Sequence, residues 1–213
     1  MVDPLSLTIS TLSLAVAGTT AWLTLFRRGT VKMTQPTVIF FGPDQPRARG
    51  NIPLPKVYLR TLLFATSKRG RVIESMHVAL SRNEMHQNFN IWVYGDRRKL
   101  ERGSGLFVGE TGISTNHHFL TPEDGNAFRF IEGHYKLEVF AHLLGDTKPI
   151  RLFFQELDIS RDVASALQQE SGAGLYFDWG PDSARYLPHV ETRTPSPNVE
   201  DFLRIFGETT PTE

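Results

Sequence analysis

The feature that most constrains this chain is an uncharged run of 22 residues near its beginning. Residues 5–26 read LSLTISTLSLAVAGTTAWLTLF, and Arg27 and Arg28 follow directly. An α-helix rises about 1.5 Å per residue, so the run would extend roughly 33 Å, whereas the hydrocarbon core of a bilayer is about 30 Å thick. The run therefore predicts a transmembrane helix that anchors the rest of the chain to a membrane.

A cleaved signal peptide and a buried helix of a soluble domain are the alternatives to an anchor. A signal peptide begins with a basic segment and ends at a cleavage site of small residues. Residues 1–4 contain no Lys or Arg, and the run ends at Phe26, directly before two arginines. A buried helix of 22 residues would exceed the usual length in globular proteins. Both alternatives are weaker than an anchor, and the sequence leaves them open.

Apolar and aromatic side chains give the run its affinity for lipid. A Leu, Ile, Val or Phe near the centre of a span favours insertion by about 0.3–0.6 kcal/mol, and a Trp at the end of a span is typical of the interfacial layer. Arginines that follow the span would remain in the headgroup layer. The residues that we assign to the anchor and its flank are Leu5, Leu12, Val16, Trp22, Leu25, Phe26, Arg27 and Arg28.

Small side chains within the run recur at spacings of three and four residues, which places them on one face of a helix. They are Ser6, Ser10, Ser13, Ala17 and Ala21. Small and hydroxyl-bearing residues are enriched where two transmembrane helices pack together. The face therefore predicts a helix–helix contact and a homo-oligomer, while ordinary sequence variation without any contact is the alternative.

The charges that flank the run predict its orientation. Only Asp3 precedes the run, whereas Arg27, Arg28 and Lys32 follow it. Cytoplasmic flanks carry the excess of Lys and Arg, so we expect the N-terminus outside and the C-terminal domain in the cytoplasm. The chain contains no cysteine, which agrees with a reducing compartment. We therefore predict a single-pass protein of the cell (inner) membrane.

The two ends of the remaining chain differ in charge. Residues 27–71 contain ten basic residues and one acidic residue, while residues 154–213 contain eleven acidic and four basic residues. A basic segment next to a span is attracted to anionic lipids by about 1 kcal/mol per charge near the surface. Charges scattered over solvent-facing strands are the alternative. Because the basic residues are dispersed and form no recognition motif, nucleic acid is not an expected partner.

Short alternating runs after the anchor predict strands rather than helices. In residues 88–94, the alternation places Trp92 and Tyr94 on one face and Phe89 on the other. The predicted strands are 36–41, 56–66, 71–82, 88–94, 105–111, 117–120, 128–131, 132–143 and 150–159.

A Gly-x-Tyr-x-Leu pattern opens the longest alternating strand, at Gly133, Tyr135 and Leu137. The pattern resembles the tyrosine corner of immunoglobulin-like sandwiches, where the tyrosine hydroxyl bonds to upstream backbone and a cysteine stands in place of the leucine. The resemblance implies a mostly β fold, an immunoglobulin-like antiparallel β-sandwich without a disulfide. One transmembrane helix would precede it and short C-terminal helices would follow. Because such sandwiches serve many functions, the resemblance implies no ligand.

The C-terminal quarter predicts two short helices and an aromatic segment. Ser160 is a suitable cap for a helix over 161–169. Residues 175–188 are rich in aromatics and are interpreted as a strap packed on the sandwich. Residues 199–206 predict a short amphipathic helix that contacts either its own domain or a partner protein. The candidate partner contacts are Trp92, Tyr94, Phe202, Leu203 and Phe206.

These predictions divide the chain into five consecutive segments. The anchor comes first, and a short tether connects it to the sandwich. The segments are an anchor over 1–28, a tether over 29–35, a β-sandwich over 36–160, a helix and aromatic strap over 161–190, and a Pro/Thr-rich linker with a tail helix over 191–213.

No arrangement of residues typical of catalysis is present in the sequence. The absence of cysteine excludes thiolate zinc sites and cysteine nucleophiles. The seven histidines do not form His-Glu-x-x-His or His-x-His, and Gly-x-Ser-x-Gly and the phosphate-binding glycine motifs are absent. We therefore expect no enzymatic activity, no metal site and no cofactor.

Three functional hypotheses follow from these features. The main one is a membrane-anchored cytoplasmic β-sandwich that contacts the lipid bilayer and acts as a structural or interaction module for an unidentified protein. The second is an extracytoplasmic domain that binds glycans or small ligands through exposed aromatics such as Trp92 and Trp179, which requires the inverted topology. The third is a membrane effector that self-assembles through the Ser/Thr-rich helix.

Overall fold

The computed structural model describes residues 3–44, 54–96, 99–122, 128–169 and 172–192. These residues form an N-terminal apolar helix followed by a mostly β domain of two antiparallel sheets. The prediction of a β-rich domain behind an apolar helix is confirmed at this level.

The N-terminal helix, α1, spans Pro4–Ala21 and continues as a π-helical turn over Trp22–Phe26. Asp3 caps it, because its carboxylate accepts a hydrogen bond of 3.1 Å from the Leu5 amide, and Pro4 occupies the first turn, where no amide is needed. The last bond of the turn runs from the Arg27 amide to the Trp22 carbonyl at 3.0 Å. Helical structure therefore extends over nearly all of the uncharged run.

The first sheet contains eight strands, in the order β13-β12-β2-β3-β9-β6-β7, and β1 pairs with β3 beside β2. Every pairing in it is antiparallel. Its strands are β1 (Val31–Met33), β2 (Val38–Pro43), β3 (Pro55–Ala65), β6 (Ile91–Asp96), β7 (Lys99–Arg102), β9 (Ile113–Leu120), β12 (Ala173–Gly180) and β13 (Arg185–Thr192).

The second sheet contains five strands, in the order β11-β10-β4-β5, and β8 pairs with the first residues of β4. A short helix, α2 (Arg161–Gln169), connects β11 to β12. The strands of this sheet are β4 (Arg71–Arg82), β5 (Met85–Phe89), β8 (Leu106–Val108), β10 (Gly133–Leu143) and β11 (Ile150–Ile159).

One hydrophobic core fills the space between the two sheets. Alternate residues of each long strand point inward, as the two-residue period of a strand requires. Leu59 and Leu63 of β3 come from the first sheet, whereas Leu137 and Val139 of β10 come from the second, and each is at most 1% exposed. Burial of these side chains, each contributing about 1.5–3 kcal/mol, is the main term that holds the sheets together.

Residues 88–94 form two strands in different sheets and not the one strand that we predicted. β5 ends at Phe89 in the second sheet, and β6 begins at Ile91 in the first. Because the chain crosses the core between them, the alternation restarts at the crossing. Phe89 and Trp92 therefore both point inward, at 0% and 4% exposure, although the continuous pattern placed them on opposite faces.

The predicted aromatic strap, 175–188, is a β-hairpin that extends the first sheet. β12 pairs with β2 through residues such as Phe177 opposite Ile39, and β13 pairs with β12. Leu175 and Phe177 are buried because they continue the inward-facing row of β2. The predicted tail helix, 199–206, lies outside the described residues.

Tyr135 lies at the start of β10 and is fully buried. Its hydroxyl donates to the Ile131 carbonyl at 2.9 Å and accepts from the Ile131 amide at 3.0 Å. Leu137, two residues on, belongs to the core, and Gly133 has φ +142°, which a side chain would strain. The hydroxyl thus fixes the segment that leads into β10.

We expect Tyr135→Phe to lower the free energy of unfolding by about 1–3 kcal/mol, because both polar groups of Ile131 lose their partner. Denaturant unfolding of the full chain in detergent micelles would measure this. Tyr94→Phe is the matched control, since the Tyr94 hydroxyl makes longer bonds of 3.2 and 3.3 Å. Equal losses for the two variants would contradict a special role for Tyr135.

Candidate functional site

Helix α1 is joined to the β domain by a short hydrogen-bonded junction, residues 27–33. The Ser67 hydroxyl donates to the Arg28 carbonyl at 2.9 Å. The Thr30 amide donates to the Thr66 hydroxyl at 2.8 Å, and the Thr66 amide returns a bond of 2.8 Å to the Thr30 carbonyl. Residues 29–35, which we predicted to be a tether, therefore contain a bound turn and strand β1, because the edge of β3 offers backbone partners to this segment.

The guanidinium of Arg71 connects this junction to the second sheet. Its side chain is 9% exposed and lies 2.7 Å from the Asp146 carboxylate. It also donates to the carbonyls of Gly29, at 3.2 Å, and Leu144, at 3.4 Å. A guanidinium carries five donors in a planar fork, so one side chain can bond the segment before β1 and two groups of the β10–β11 turn.

Two glycines allow the close approach of the segments at the junction. Gly29 has φ +63°, and a Cβ there would lie 2.7 Å from the Ser67 Cβ. Gly70 has φ +67°, and a Cβ there would lie 2.5 Å from the Phe107 ring. Both positions therefore need a residue without a side chain, and the Phe107 ring lies across the β3–β4 turn.

A cleft of about 290 Å³ opens at this end of the β domain, beside the exit of α1. We call it the junction cleft. Phe107 and Leu144 are 62% and 60% exposed, the highest values for large apolar side chains among the described residues of the β domain. The cleft is lined by Arg28, Arg69, Gly70, Arg71, Val72, Phe107, Leu144 and Gly145.

Val72 brings the two exposed apolar residues of the cleft together. Phe107 of β8 is the cross-strand partner of Val72 in β4. On the other side, the Leu144 amide donates to the Val72 carbonyl at 2.9 Å. Phe107 and Leu144 come from positions 37 residues apart in sequence, so only the sheet pairing makes them neighbours.

Basic side chains surround the junction cleft. The β3–β4 turn carries Lys68 and Arg69, both exposed. Among the described residues that line the cleft, the charged ones are Arg28, Arg69 and Arg71, and Arg71 is paired with Asp146. Lys68 precedes Arg69 in its turn, and the exposed Lys148 follows Asp146 in the β10–β11 turn.

Helix α1 itself makes no packing contact that buries any of its residues. Together with the start of the π-helical turn, it forms a helical segment, Pro4–Thr24, that is long and apolar enough to cross a membrane. Ser6, Ser10, Ser13 and Ala17 are exposed and Ala21 is half-buried. The large predicted anchor residues Leu5, Leu12, Val16, Trp22 and Phe26 are 59–67% exposed, and Arg27 and Arg28 are exposed as well. The side chain of Leu25 is outside the description.

Hydroxyls of α1 donate back to carbonyls of their own helix. Each bond spans four residues and measures 2.7–2.9 Å. This internal pairing removes the cost of exposing a hydroxyl to lipid without a second helix. The hydroxyls concerned are those of Thr8, Ser10, Thr11, Thr19, Thr20 and Thr24.

Trp92, a predicted partner contact, belongs to the core. Its side chain is 4% exposed, and its Nε1 donates to Nδ1 of the fully buried His117 at 3.1 Å. Gly103 packs directly on the indole ring. Trp92 is therefore covered and offers no surface to a partner, because the crossing between the sheets turned it inward.

The buried imidazole of His117 has a strongly shifted pKa. Because Nδ1 accepts from Trp92, the neutral ring carries its proton on Nε2, which is buried without a hydrogen-bond partner among the described residues. Burial, and secondarily the neighbouring His118, lowers the pKa of His117 to about 4. The ring is therefore neutral in the folded protein near pH 7.

Of the other predicted contact residues, the structure describes Tyr94, whose ring lies beside Trp92 with centroids 5.0 Å apart. Tyr94 is half-buried, and its hydroxyl contacts Glu101 and the Gly105 carbonyl. Phe202, Leu203 and Phe206 lie outside the described residues. Trp179, named for the glycan hypothesis, is half-buried against Tyr186 with ring centroids 5.1 Å apart.

A larger cleft, of about 500 Å³, lies at the opposite end of the β domain. It is lined mainly by Gly, Pro and apolar residues, with Arg129 as its one charged residue. Pro43, Pro55, Phe128 and Gly172 in its wall adjoin sequence segments outside the description. Within the part of the chain that the structure describes, no group of three or more His, Asp or Glu side chains could hold a metal ion.

The junction cleft was not predicted from the sequence. Residues 27–71 showed an excess of basic residues and Phe107 fell in the predicted strand 105–111, but no local pattern related Phe107 to Leu144. Comparison with protein families, with curated proteins and with solved structures finds no match to this chain. The junction and its cleft are therefore the features on which a functional proposal has to rest.

We expect the stability of the protein to fall between pH 6.5 and about 4 because of His117. In the unfolded chain, His117 takes up a proton around its ordinary pKa of 6.5. In the folded protein, it takes up that proton only near pH 4. At about 1.4 kcal/mol per pH unit, the loss approaches roughly 3 kcal/mol near pH 4. The free energies of unfolding of the unmodified protein and of His117→Asn, measured across this pH range, test this expectation. Equal slopes of free energy against pH for the two proteins would contradict the role of His117.

We expect Arg71→Met to loosen the junction, because Gly29 and Asp146 lose a charged donor. The free energy of unfolding should fall by about 1–3 kcal/mol. Amide exchange at Thr30–Met33, measured by mass spectrometry, should become faster. Lys148→Met, an exposed change in the β10–β11 turn, is the control and should leave exchange there unchanged. Unchanged exchange in Arg71→Met would contradict the role of the guanidinium.

Proposed function

We propose that this protein is a single-pass membrane protein that holds an immunoglobulin-like β-sandwich against the cytoplasmic surface of the cell membrane, where the sandwich acts as a structural or interaction module for another protein. The observation that carries the proposal is the hydrogen-bonded junction of residues 27–33. A span that continues directly into a bound turn presents the domain in a fixed place at the membrane surface.

The features of α1 support its role as the anchor. Its length suits a bilayer, and its hydroxyls form hydrogen bonds within the helix. None of its residues is buried against the core of the β domain. Trp22 and Phe26 stack at the last turn, with centroids 5.8 Å apart, directly before Arg27 and Arg28. Aromatic residues followed by arginines are typical of the boundary between acyl chains and headgroups.

The charge distribution supports the cytoplasmic orientation. The residues that follow the span remain at the membrane end, and the β3–β4 turn adds Lys68 and Arg69 at the same end. Folding therefore increases the positive charge next to the cytoplasmic end of the span beyond the two arginines in the sequence. The positive-inside rule counts Lys and Arg within about 15–20 residues of a span along the chain, so Arg27, Arg28 and Lys32 support the orientation. Lys68 and Arg69 only add to the positive charge of the folded domain at that end.

The strand order supports the immunoglobulin-like assignment. In that architecture, strands A, B, E and D lie in that order in one sheet and G, F and C in the other, to which variable-type domains add C′ beside C. Here β2-β3-β9-β6 lie adjacent in one sheet and β11-β10-β4-β5 in the other. Tyr135 also stands near the start of the penultimate main strand and bonds to backbone four residues upstream. β7, β8 and the β12–β13 hairpin would then be additions.

An interaction role suits the surface better than a catalytic one. The described residues bring together no cluster of acids, bases or nucleophiles within a cleft, and the two clefts are lined by Gly, Pro, Arg and apolar residues. The partner would be a protein at the same membrane, and the tail residues Phe202, Leu203 and Phe206 remain candidates for its contact.

Topology is the experiment that tests this proposal. A reporter enzyme that is active only outside the cytoplasm would be fused after Glu213. We expect an inactive reporter, with the protein in the membrane fraction after alkaline extraction. The matched control carries Arg27→Glu and Arg28→Glu, which should weaken or invert the orientation and increase reporter activity.

Two outcomes would contradict the proposal. An active reporter in the unmodified protein would place the β domain outside the cytoplasm and favour the glycan or small-ligand hypothesis. Recovery of intact protein in the soluble fraction would show that α1 does not anchor the chain.

A further inference from the structure

We infer that the junction cleft is a bilayer-docking face, at which Phe107 and Leu144 enter the interfacial layer while Arg28 and Arg69 contact anionic lipid phosphates. This inference rests on the proposed membrane anchor. It adds a second contact with the membrane, made by the β domain and not by α1.

The short distance between the span and the cleft determines which layer of the membrane the surface of the cleft can contact. Arg28 lines the cleft and lies only two residues after the end of the helical turn at Phe26. Two extended residues reach at most roughly 7 Å, and the headgroup layer on each side of a bilayer is about 5–8 Å thick. With α1 in the bilayer, the wall of the cleft therefore lies at the level of the headgroups.

The junction keeps this end of the domain at that level. The bonds from Ser67 to the Arg28 carbonyl and from Arg71 to the Gly29 carbonyl attach the end of the span to the wall of the cleft. A flexible tether would allow the domain to rotate away from the membrane. The hydrogen-bonded turn restricts that rotation, so the same face remains next to the lipid.

The apolar residues of the cleft fit a membrane and not bulk water. Phe107 and Leu144 are the two most exposed large apolar side chains of the described β domain, and both lie at the end where α1 leaves it. The other exposed large apolar residues of the described β domain, Leu100 at 52% and Phe154 and Leu187 at 44%, do not line this cleft. An exposed apolar pair next to a span is explained if the acyl boundary covers it.

The charges around the cleft complement an anionic surface. Arg28 and Arg69 line the cleft, and Lys68 and Lys148 are exposed nearby, whereas Asp146 is paired with Arg71. Arginine binds phosphate through its planar fork of donors. An apolar pair within a basic rim is the arrangement that peripheral membrane surfaces use for anionic lipids.

The absence of cysteine from the chain makes single-site labelling straightforward. The full protein would be reconstituted into vesicles of phosphatidylglycerol and phosphatidylcholine in equal parts, or of phosphatidylcholine alone. A fluorophore on Phe107→Cys or Leu144→Cys would be quenched by lipids that carry a nitroxide near the headgroup. Glu84→Cys, in the β4–β5 turn at the opposite end of β4, is the control in the β domain. Ser13→Cys, near the middle of α1, is the control for the span and is measured with lipids that carry the nitroxide deep in the acyl chain.

We expect strong quenching at positions 107 and 144, little quenching at position 84, and weaker quenching at 107 and 144 in phosphatidylcholine alone. Arg28→Gln and Arg69→Gln should each reduce the docking equilibrium in anionic vesicles about fivefold, the equivalent of one charge near the surface. Lys136→Gln, which removes a charge near the opposite end of β10, should leave it unchanged.

Three results would overturn the inference, and they are distinguishable. In the first, position 13 is quenched but quenching at positions 107 and 144 is as low as at position 84. This result would support the anchor and contradict the docking face. Equal quenching in both kinds of vesicle would exclude the assignment of anionic phosphates. Absence of quenching at position 13 would remove the membrane anchor and, with it, both the proposed function and this inference.

Discussion

The attachment of the N-terminal helix to the β domain depends on a short set of hydrogen bonds at residues 27–33, in which the nearly buried guanidinium of Arg71 provides the link to the second sheet. Arg71 begins β4 and bonds the segment before β1 as well as the turn between β10 and β11. Hydrogen bonds to charged groups contribute about 1.5–3 kcal/mol, more than bonds between neutral groups. These bonds join the end of α1 to the β10–β11 turn, while the pairing of Val72 with Phe107 and the bond from the Leu144 amide to the Val72 carbonyl bring Leu144 and Phe107 to the same cleft.

The two sheets are held by a different kind of force. Their contact is a shared apolar core, to which polar groups contribute at a few sites, such as the Tyr135 hydroxyl and the bond between Trp92 and His117. Buried polar groups stabilise a fold only when they are paired. The Nε2 of His117 is one of three buried polar side-chain atoms without a partner among the described residues, and the burial of this ring lowers the pKa of His117, from which we expect a loss of stability in acid.

The sequence predicted the long elements more accurately than the connections. β4 and β11 have the predicted ends, and Gly70 and Pro149 stand directly before them, although the alternation shifts once within each strand. Residues 88–94 were misread because a strand pattern carries no signal of a change of sheet. The tether and the strap were misread for a related reason: strand pairing depends on which edges are open, and the open edges of β2 and β3 are properties of the assembled sheet.

What the sequence by itself determined is the set of features that depend on near neighbours: an uncharged helix of membrane length, its arginine flank, a mostly β domain, and Tyr135 at the entry to β10. What only the tertiary structure decided is which distant side chains meet. Arg28, Arg69, Phe107 and Leu144 come from four segments, and only strand pairing and the bonds of Arg71 bring them to one cleft. Contacts of this kind depend on the closure of long loops, whose partners no local pattern specifies.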